Sequence, residues 1–579
     1  MYGFNEKDCP NVGDGKRLLP GTQKSICFIE GTRGRGFVSA ALAIDAKKAA
    51  FHEEMRLIDK AKIIVNDNLS TKLSEIALEK LDLGLKGLFF YTKHTGHKVD
   101  HQIESITGKT ASEATFKFKG VKVSVLQYFK EQYKISLEYP NAPLVKVREG
   151  SRVNSYPMEL GFIREMQRVT IFQQTPSQSD KMKKNCVVPP GERQGNIKRG
   201  AYALKLFGSR GNSFVTNAGF HILRNPMKVT SNEAELEECF KCAADNQCSY
   251  CLIISSDSAI SVHKKIKLWE RELEIVTQEV KLSTVIKVVK ENQRQILENI
   301  VLKTNVKLGG LNYELDLHGM AASEDGQGWI REGRVFLGIS VNHSSLLCDY
   351  LSPVVFGTLA TLCEIVIDVF YKFLQHHDDR VPKDLIIYRS GISERSFKTV
   401  LTYDIPQIRR KLSEHGVQDI KLVFIVVQKN HNIRFMRPLI DQSRELFSQN
   451  IPPGVVVDSN VTHPAFKEFY LNSHFTFQGS AVTPRYTVLV DDLNLSMDEL
   501  EGMTHVLTYA HQIVNLSTSL PAPLYVANRY AERGRSIHEA YVDGSSTRSS
   551  VSEGSIDYID SARYLTYKST KLEKIRVNA

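Results

Sequence analysis

DLIIYRSGISERSFKTVLTYDIPQIRRKLSEHGVQDIKLVFIVVQ, residues 384–428, holds two short apolar runs, DLIIYRS (384–390) and KLVFIVVQ (421–428). Between them residues 395–413 carry helical apolar spacing. The runs are too short for helices and rich in β-branched residues, so they read as strands buried on both faces. Similar runs recur at YCLIIS (250–255), VFLGISV (335–341) and YTVLV (486–490), with helical spacing at 263–275, 284–301, 357–375, 437–447 and 497–514. This alternation predicts an α/β carboxyl-terminal half with a largely parallel sheet.

Upstream the pattern is different. GLFFYTKHTG (87–96), TFKFKGVKVSVLQYF (115–129) and YPMEL (156–160) read as the short alternating strands of a small β-barrel. The first twenty residues read as loose, GTRGRG (31–36) as a turn or linker, and residues 40–66 as helix. Residues 174–200 have linker composition with one helix at the edge. SIHEAYVDGSSTRSSVSEGS (536–555) reads as a Ser/Gly-rich surface loop or disordered insertion.

A chain of 579 residues exceeds what one core holds, so several domains are expected. Its 42% hydrophobic and 24% charged residues exclude collagen-like or broadly disordered classes. The segment MYGFNEKDCPNVGDGK lacks the apolar core of a secretory signal, and no apolar run nears the roughly 20 residues of a membrane span. A soluble intracellular protein with no membrane partner and nine mostly reduced cysteines is expected. The net charge of +10 suits a polyanionic partner without requiring one. Cations gather in KMKK (181–184), HKKIK (263–267) and LKTNVK (302–307).

No Walker loop, dinucleotide glycine fingerprint, HExxH or nucleophile elbow is present. Cys239, Cys242, Cys248 and Cys251 form two CxxC pairs only five residues apart, which favours ordinary buried cysteines over a zinc site. Asp458, Asp491 and Asp492 follow apolar strands, where carboxylates either hold magnesium or cap the next turn. HKKIK opens a helix after a strand and turn. His263 and Lys267, four apart, share a helical face, and Lys303 and Lys307 repeat that spacing. Such a cluster is either a phosphate pocket or a solvated face.

The succession LKTNVKLGGLNYEL (302–315), VFLGISVNHSS (335–345), IIYRSGISERSF (386–397), FIVVQKNHNIRF (424–435), NIPPGVVVDSNVTHPAFKEFYLNSH (450–474), FQGSAVTPRYTVLVDDLNL (477–495) and LPAPLYVANRYAERGR (520–535) resembles the PIWI domain of Argonaute proteins. QYFKEQYKISLEYPNAPLVKV (127–147), followed by YPMEL, is similar to the second half of a PAZ domain. The resemblance implies a multidomain chain: a truncated amino-terminal and first-linker region at 1–65, a PAZ barrel at 66–170, a second linker at 171–235, a shortened MID domain at 236–315 and a ribonuclease H-like PIWI domain at 316–579 with a Ser/Gly-rich loop at 543–555. In that family the PAZ barrel holds a guide 3′ end, for which Phe116, Tyr128, Tyr133 and Tyr156 are the candidate aromatics. The family's 5′-phosphate pocket maps onto His263, Lys267, Gln278 and Lys303, with Lys307 and Arg533 adding charge. Histidine at 263 is similar to the worm-specific Argonautes that take secondary small interfering RNAs, which implies a guide that can carry a 5′ triphosphate.

The resemblance also implies lost cleavage. Ser340 and Ser390 stand where the family's two aspartates belong, and Asn528 where it has histidine; neutral groups cannot bridge two divalent ions. Glu364, in an apolar helical pattern, is a poor replacement. The implied function is guide-directed RNA binding in gene silencing, with a small single-stranded guide RNA, a complementary target RNA and silencing effector proteins as partners. Residence is expected to be cytoplasmic, with nuclear residence also allowed. No catalytic cofactor is expected, although a magnesium ion could accompany the guide phosphate. The alternatives are a residual endoribonuclease using displaced acids such as Asp458 or Asp491, and a degenerate scaffold that binds no RNA. His343, His431, His463 and His474 are expected to serve packing or backbone contacts.

Overall fold

A computed structural model describes residues 9–31, 38–149, 152–170, 173–174, 176–186, 233–255, 260–281, 284, 294–315, 333–341, 354–441, 445–545, 567 and 570–577. Two compact units emerge: residues 1–24 with 44–210, and residues 25–43 with 211–579. This division cuts through the expected 1–65 region.

The amino-terminal stretch is ordered from residue 9 rather than loose, since β1 (Asn11–Gly13) pairs antiparallel with β2 (Lys16–Ile29). The helix expected over 40–66 is also corrected. SAALAIDAKKAAFH forms strand β3 (Ser39–His52), next to β2 in the sheet, and helix starts only at α1 (Leu57–Val65). Alanine and lysine favour helix locally, but the strand partner overrides that weak preference.

In the first unit α2 (Glu75–Leu85) precedes β4 (Phe89–Thr92), β5 (Val99–Thr110), β6 (Thr115–Phe118), β7 (Val121–Ser124), helix α3 (Val125–Gln132), β8 (Pro143–Glu149), β9 (Arg152–Pro157) and β10 (Gly161–Ile163). Five strands make one antiparallel sheet in the order β10-β4-β5-β8-β9, and β6 and β7 form a separate hairpin. VLQYF, expected to continue a strand, is helical because Ser124 accepts a hydrogen bond from Gln127 N (3.1 Å) and starts a helix there. Leu57, Ile58, Leu81, Phe90, Val145 and Met158 fill the core between α1, α2 and the sheet. The Pro/Lys-rich linker begins with helix α4 (Pro176–Cys186), and residues 187–200 lie outside the described set.

In the second unit α5 (Glu233–Asp245) leads to the parallel pair β11 (Tyr250–Ser255) and β12 (Val276–Lys281), linked through α6 (Ile260–Glu272); α7 (Arg294–Lys307) follows. A six-stranded sheet comes next: β13 (Arg334–Ile339), β14 (Asp384–Arg389), β15 (Lys421–Gln428), β16 (Val455–Val457), β17 (Lys467–Asn472) and β18 (Arg485–Asp491), in the order β13-β14-β15-β18-β17-β16. The first three are parallel and the others pair antiparallel, so the sheet is mixed rather than largely parallel. Antiparallel neighbours need no crossover helix, which is why strand–helix alternation concealed them.

Helix α8 (Val354–His376) and α9 (Ile405–Glu414) cover one face of this sheet; α10 (Met497–Thr508) and α11 (Ala522–Ser545) cover the other. The helix expected over 437–447 shrinks to Leu446–Gln449, with 442–444 outside the described residues; that expected at 284–301 is described from Arg294 as α7 and runs on to Lys307, with 285–293 outside the described residues, and that at 497–514 is shortened to α10. Helix α11 runs to Ser545 through what read as a loop from 536. Side chains alternate across the strands. Ile387 and Phe424 pack with Phe370 and Ile408, while Ile386, Tyr388 and Ile425 pack with Leu500 and Leu524. Phe424 is fully buried, and Phe424→Ala is expected to cost about 3–5 kcal/mol in a denaturant titration.

Gly338 in β13 sets the approach of α11. A Cβ there would stand 2.1 Å from the carbonyl oxygen of Pro523, and backbone cannot yield as a side-chain tip does. Gly338→Ala is therefore expected to destabilise the second unit by about 1–3 kcal/mol, read as a lowered melting temperature.

Candidate functional site

The four aromatics singled out in the first unit meet in a chain of ring contacts. Phe116 packs edge-on against Tyr128 (5.1 Å between centroids), Tyr128 against Tyr133 (5.7 Å), and His94 bridges Tyr133 (4.9 Å) to Tyr156 (6.1 Å). Sequence reasoning missed His94 and Phe129; the buried Phe129 ring stacks on Tyr133 (5.5 Å). Burial pulls the His94 imidazole below its usual range, and its Nδ1 is buried without a hydrogen-bond partner. A neutral, aromatic-walled cup with a free ring nitrogen suits stacking and hydrogen bonding to a sugar or base.

In the second unit the residues assigned to the phosphate pocket come together from four elements. Helix α6 presents His263 and the buried Lys267, whose ammonium donates to Thr277 Oγ1 (2.6 Å) and lies 3.4 Å from a Glu270 oxygen. Lys307, at the end of α7, donates to Thr277 O (2.8 Å) and to Gln278 Oε1 (3.0 Å), both on β12. Arg533 of α11 pairs with Glu270 and donates to Val577 O (2.9 Å). His263 pairs with Glu279, which also accepts from Lys281 (2.7 Å). Among the described residues Lys303 makes no hydrogen bond or ion pair.

Burial, and then the neighbouring cations, lower these lysines. Lys307 falls to about 6, and Lys267 to about 8 because Glu270 partly offsets its desolvation. Burial pushes the Glu279 carboxyl up, but hydrogen bonds from His263, Lys281 and Ser255 bring it down to about 2. Such a cluster is short of anions and primed to take one.

His263, Lys267 and Arg533 open into a cleft of about 300 Å³ also lined by Arg529, Glu532, Arg535 and Ser536. Sequence reasoning passed over these four. Their signal was the helical spacing 529, 532, 535 and 536, three and four apart, which sets them on one face of α11. The carboxylate Glu270 was missed as well, because a Glu inside KLWERE looks like a solvated helix residue.

Ser340 and Ser390 follow β13 and β14, and Asn528 lies on α11. The three meet: Ser390 Oγ is 3.2 Å from Ser340 Oγ and donates to Asn528 Oδ1 at 3.3 Å. The trio carries no charge. Asp404 sits on the nearby Arg389 (2.7 Å), and Glu364 lies on α8 with its side chain outside the described residues. Asp491 binds Lys467 (2.7 Å) and accepts from Leu495 N (3.2 Å), and Asp492 binds Arg409 (2.8 Å) and Leu422 N (3.0 Å), so both serve structure. His431 contacts Thr483 O (2.8 Å), His463 Nδ1 accepts from Ala465 N (3.1 Å) and burial pulls His474 down to about 4; His343 lies outside the described residues.

Cys239, Cys242, Cys248 and Cys251 are free thiols, and no group of three or more His, Cys, Asp or Glu among the described residues could hold a metal ion. No helix among them is long and apolar enough to cross a membrane. Both oxygens of Glu270 are taken by Lys267, Thr277, Arg533 and Tyr567, so that carboxylate does not fit a magnesium ligand.

Known proteins show the same organisation. A family model for the Piwi domain matches residues 250–539 and one for the PAZ domain matches 59–183. Argonaute protein wago-1 of Caenorhabditis elegans is 34% identical across 100% of this chain and 72% of its own length. Argonaute protein wago-4 of the same organism is 32% identical across 92% of this chain and 68% of its own. Among solved structures, Kluyveromyces polysporus Argonaute with a guide RNA superimposes with a TM-score of 0.61 at 16% identity, covering 96% of this chain and 79% of that one. Drosophila Piwi does so with a TM-score of 0.51 at 17% identity, covering 93% and 81%.

Proposed function

This chain belongs to the Argonaute family and is similar to its worm wago members, and on that premise we propose that it binds a small single-stranded guide RNA and silences complementary transcripts without cutting them. The observation that carries the proposal is the under-compensated cation cluster of Lys267, Lys303, Lys307 and Arg533, of which Lys267 and Arg533 open into a cleft and Lys307 is buried behind them, in the unit that also holds the neutral Ser340–Ser390–Asn528 trio. The pocket holds the guide 5′ phosphate, with His263 against the first base. Arg529 and Arg535 at the rim supply charge for further phosphates, as a 5′ triphosphate would need. The aromatic cup around Tyr128 and Tyr133 holds the 3′ end. Silencing then passes through recruited effector proteins, in the cytoplasm.

Binding of one RNA sequence carrying a 5′ triphosphate, monophosphate or hydroxyl tests the pocket. Both phosphorylated forms are expected to bind at least tenfold tighter than the hydroxyl form; equal binding of all three would overturn the assignment. For the other end, Tyr128→Leu with Tyr133→Leu is expected to weaken binding about tenfold, since a stacked base contributes about 1–3 kcal/mol. That loss should vanish for a guide whose 3′ nucleotide is abasic.

A further inference from the structure

The floor of the phosphate pocket is an acid. Glu270 is fully buried on α6 directly beneath the residues that face the cleft. Its Oε1 accepts from Tyr567 Oη (3.0 Å) and from Arg533; its Oε2 accepts from Thr277 N (3.0 Å), Thr277 Oγ1 and Lys267 (3.4 Å). An anion-binding site built around a fully desolvated carboxylate is electrostatically odd, because like charges inside a protein repel strongly. The oddity resolves if the carboxylate acts on the cations rather than on the ligand.

We propose that Glu270 is a positioning residue, the resident counter-anion that keeps Lys267 and Arg533 charged and aimed into the cleft before a guide arrives, so that a terminal phosphate entering beside it draws a proton into the pocket. This rests on the 5′-phosphate reading above. The receiving group is Lys307. Lys267 and Glu270 of α6 face it, as do Thr277 O and Gln278 of β12, Lys303 on its own helix and Arg533 of α11. With the second buried carboxylate, Glu279, engaged by His263 and Lys281, Glu270 cannot satisfy all of Lys267, Lys303, Lys307 and Arg533, so one lysine gives up its proton while the site is empty, and burial with Lys267 and Arg533 alongside holds Lys307 down to about 6. A phosphate dianion supplies the missing negative charge and raises that value again. The sign follows. A group with a low pKa in the empty site and a higher one in the complex takes up a proton on binding, so affinity falls as pH rises above about 6. One linked proton corresponds to about tenfold per pH unit.

Binding of 5′-phosphorylated and 5′-hydroxyl RNA of one sequence to the full chain between pH 6.5 and 7.5, below the Lys267 value of about 8, with calorimetry in two buffers of different ionisation enthalpy, tests this. The wild-type protein is expected to take up about one proton with the phosphorylated RNA, and the phosphate-dependent part of its affinity to fall by up to about tenfold per pH unit. Glu270→Gln keeps the shape and an acceptor but removes the charge. Lys267 and Lys307 then both lose protons in the empty site, so uptake is expected to rise above the wild-type value and the pH profile to steepen. An equal loss at every pH would mean a merely structural role and would overturn the proposal, as would an unchanged profile. Should Glu270→Gln fail to fold, the wild-type calorimetry decides alone, and absence of proton uptake sinks the idea. A phosphate preference that is flat with pH removes only this inference, whereas no phosphate preference at any pH removes the 5′-phosphate reading itself.

Discussion

Replacing Lys267 and Lys303 together by alanine is expected to weaken binding of a 5′-phosphorylated guide by about 10²- to 10⁴-fold, because each contributes a charge-assisted hydrogen bond of about 1.5–3 kcal/mol. The two act differently. Lys303 has no hydrogen-bonded or ion-paired competitor among the described residues, so its ammonium turns to phosphate at little cost. Lys267 must share its charge with Glu270. The fold is expected to survive, because Glu270 keeps Arg533, Tyr567 and Thr277 as donors. A filter-binding series in salt should show the slope of log K against log salt reduced by about 1.4, the loss of two contacts to a single strand. Binding and slope both equal to wild type would place the guide elsewhere.

The second large effect concerns the Ser340–Ser390–Asn528 trio, which on the proposed reading no longer holds metal ions. With guide, matched target and magnesium, the wild-type chain is expected to leave the target whole. Ser340→Asp, Ser390→Asp and Asn528→His together should create a site for a divalent cation. The hydroxyls at 340 and 390 lie 3.2 Å apart, so two unit charges at that separation would repel by about 5 kcal/mol at an effective dielectric constant of 20. The triple variant should therefore melt well below wild type without divalent ions. Manganese at a hundred times its dissociation constant should return about 2.7 kcal/mol, read as a rise in melting temperature that wild type does not show. A manganese response in the unaltered protein, or a cut opposite a fixed guide position, would refute the view that the centre has lost its metals.

How far the chain could be read in advance depended on what holds each part. KLVFIVVQ became β15 with the same ends, because strands buried on both faces leave a continuous apolar signature. Helical spacing puts His263 with Lys267 and Lys303 with Lys307 on common faces, and the family resemblance rather than the spacing joined them into one candidate pocket. SAALAIDAKKAAFH was misread because its strand character comes from pairing with β2 rather than from its own residues, and 437–447 because apolar spacing continues across Pro438, where the described residues 437–441 hold no helix. Glu270 stayed hidden for a related reason. A charged residue on an amphipathic helix looks solvated until another element covers it.

Gly338 brings α11 hard against β13, and that helix carries Asn528 toward the serines and Arg533 toward the phosphate cleft. Five residues of helix span only about 7.5 Å. On the proposed reading, anchor and former blade are thus mounted on one stiff spar, and neither can be re-aimed without swinging the other. If the trio is a lost cleavage centre, swapping three side chains would blunt the cutting edge, whereas sliding the spar would have cost the grip. That would be a physical reason for such a centre to keep its old geometry.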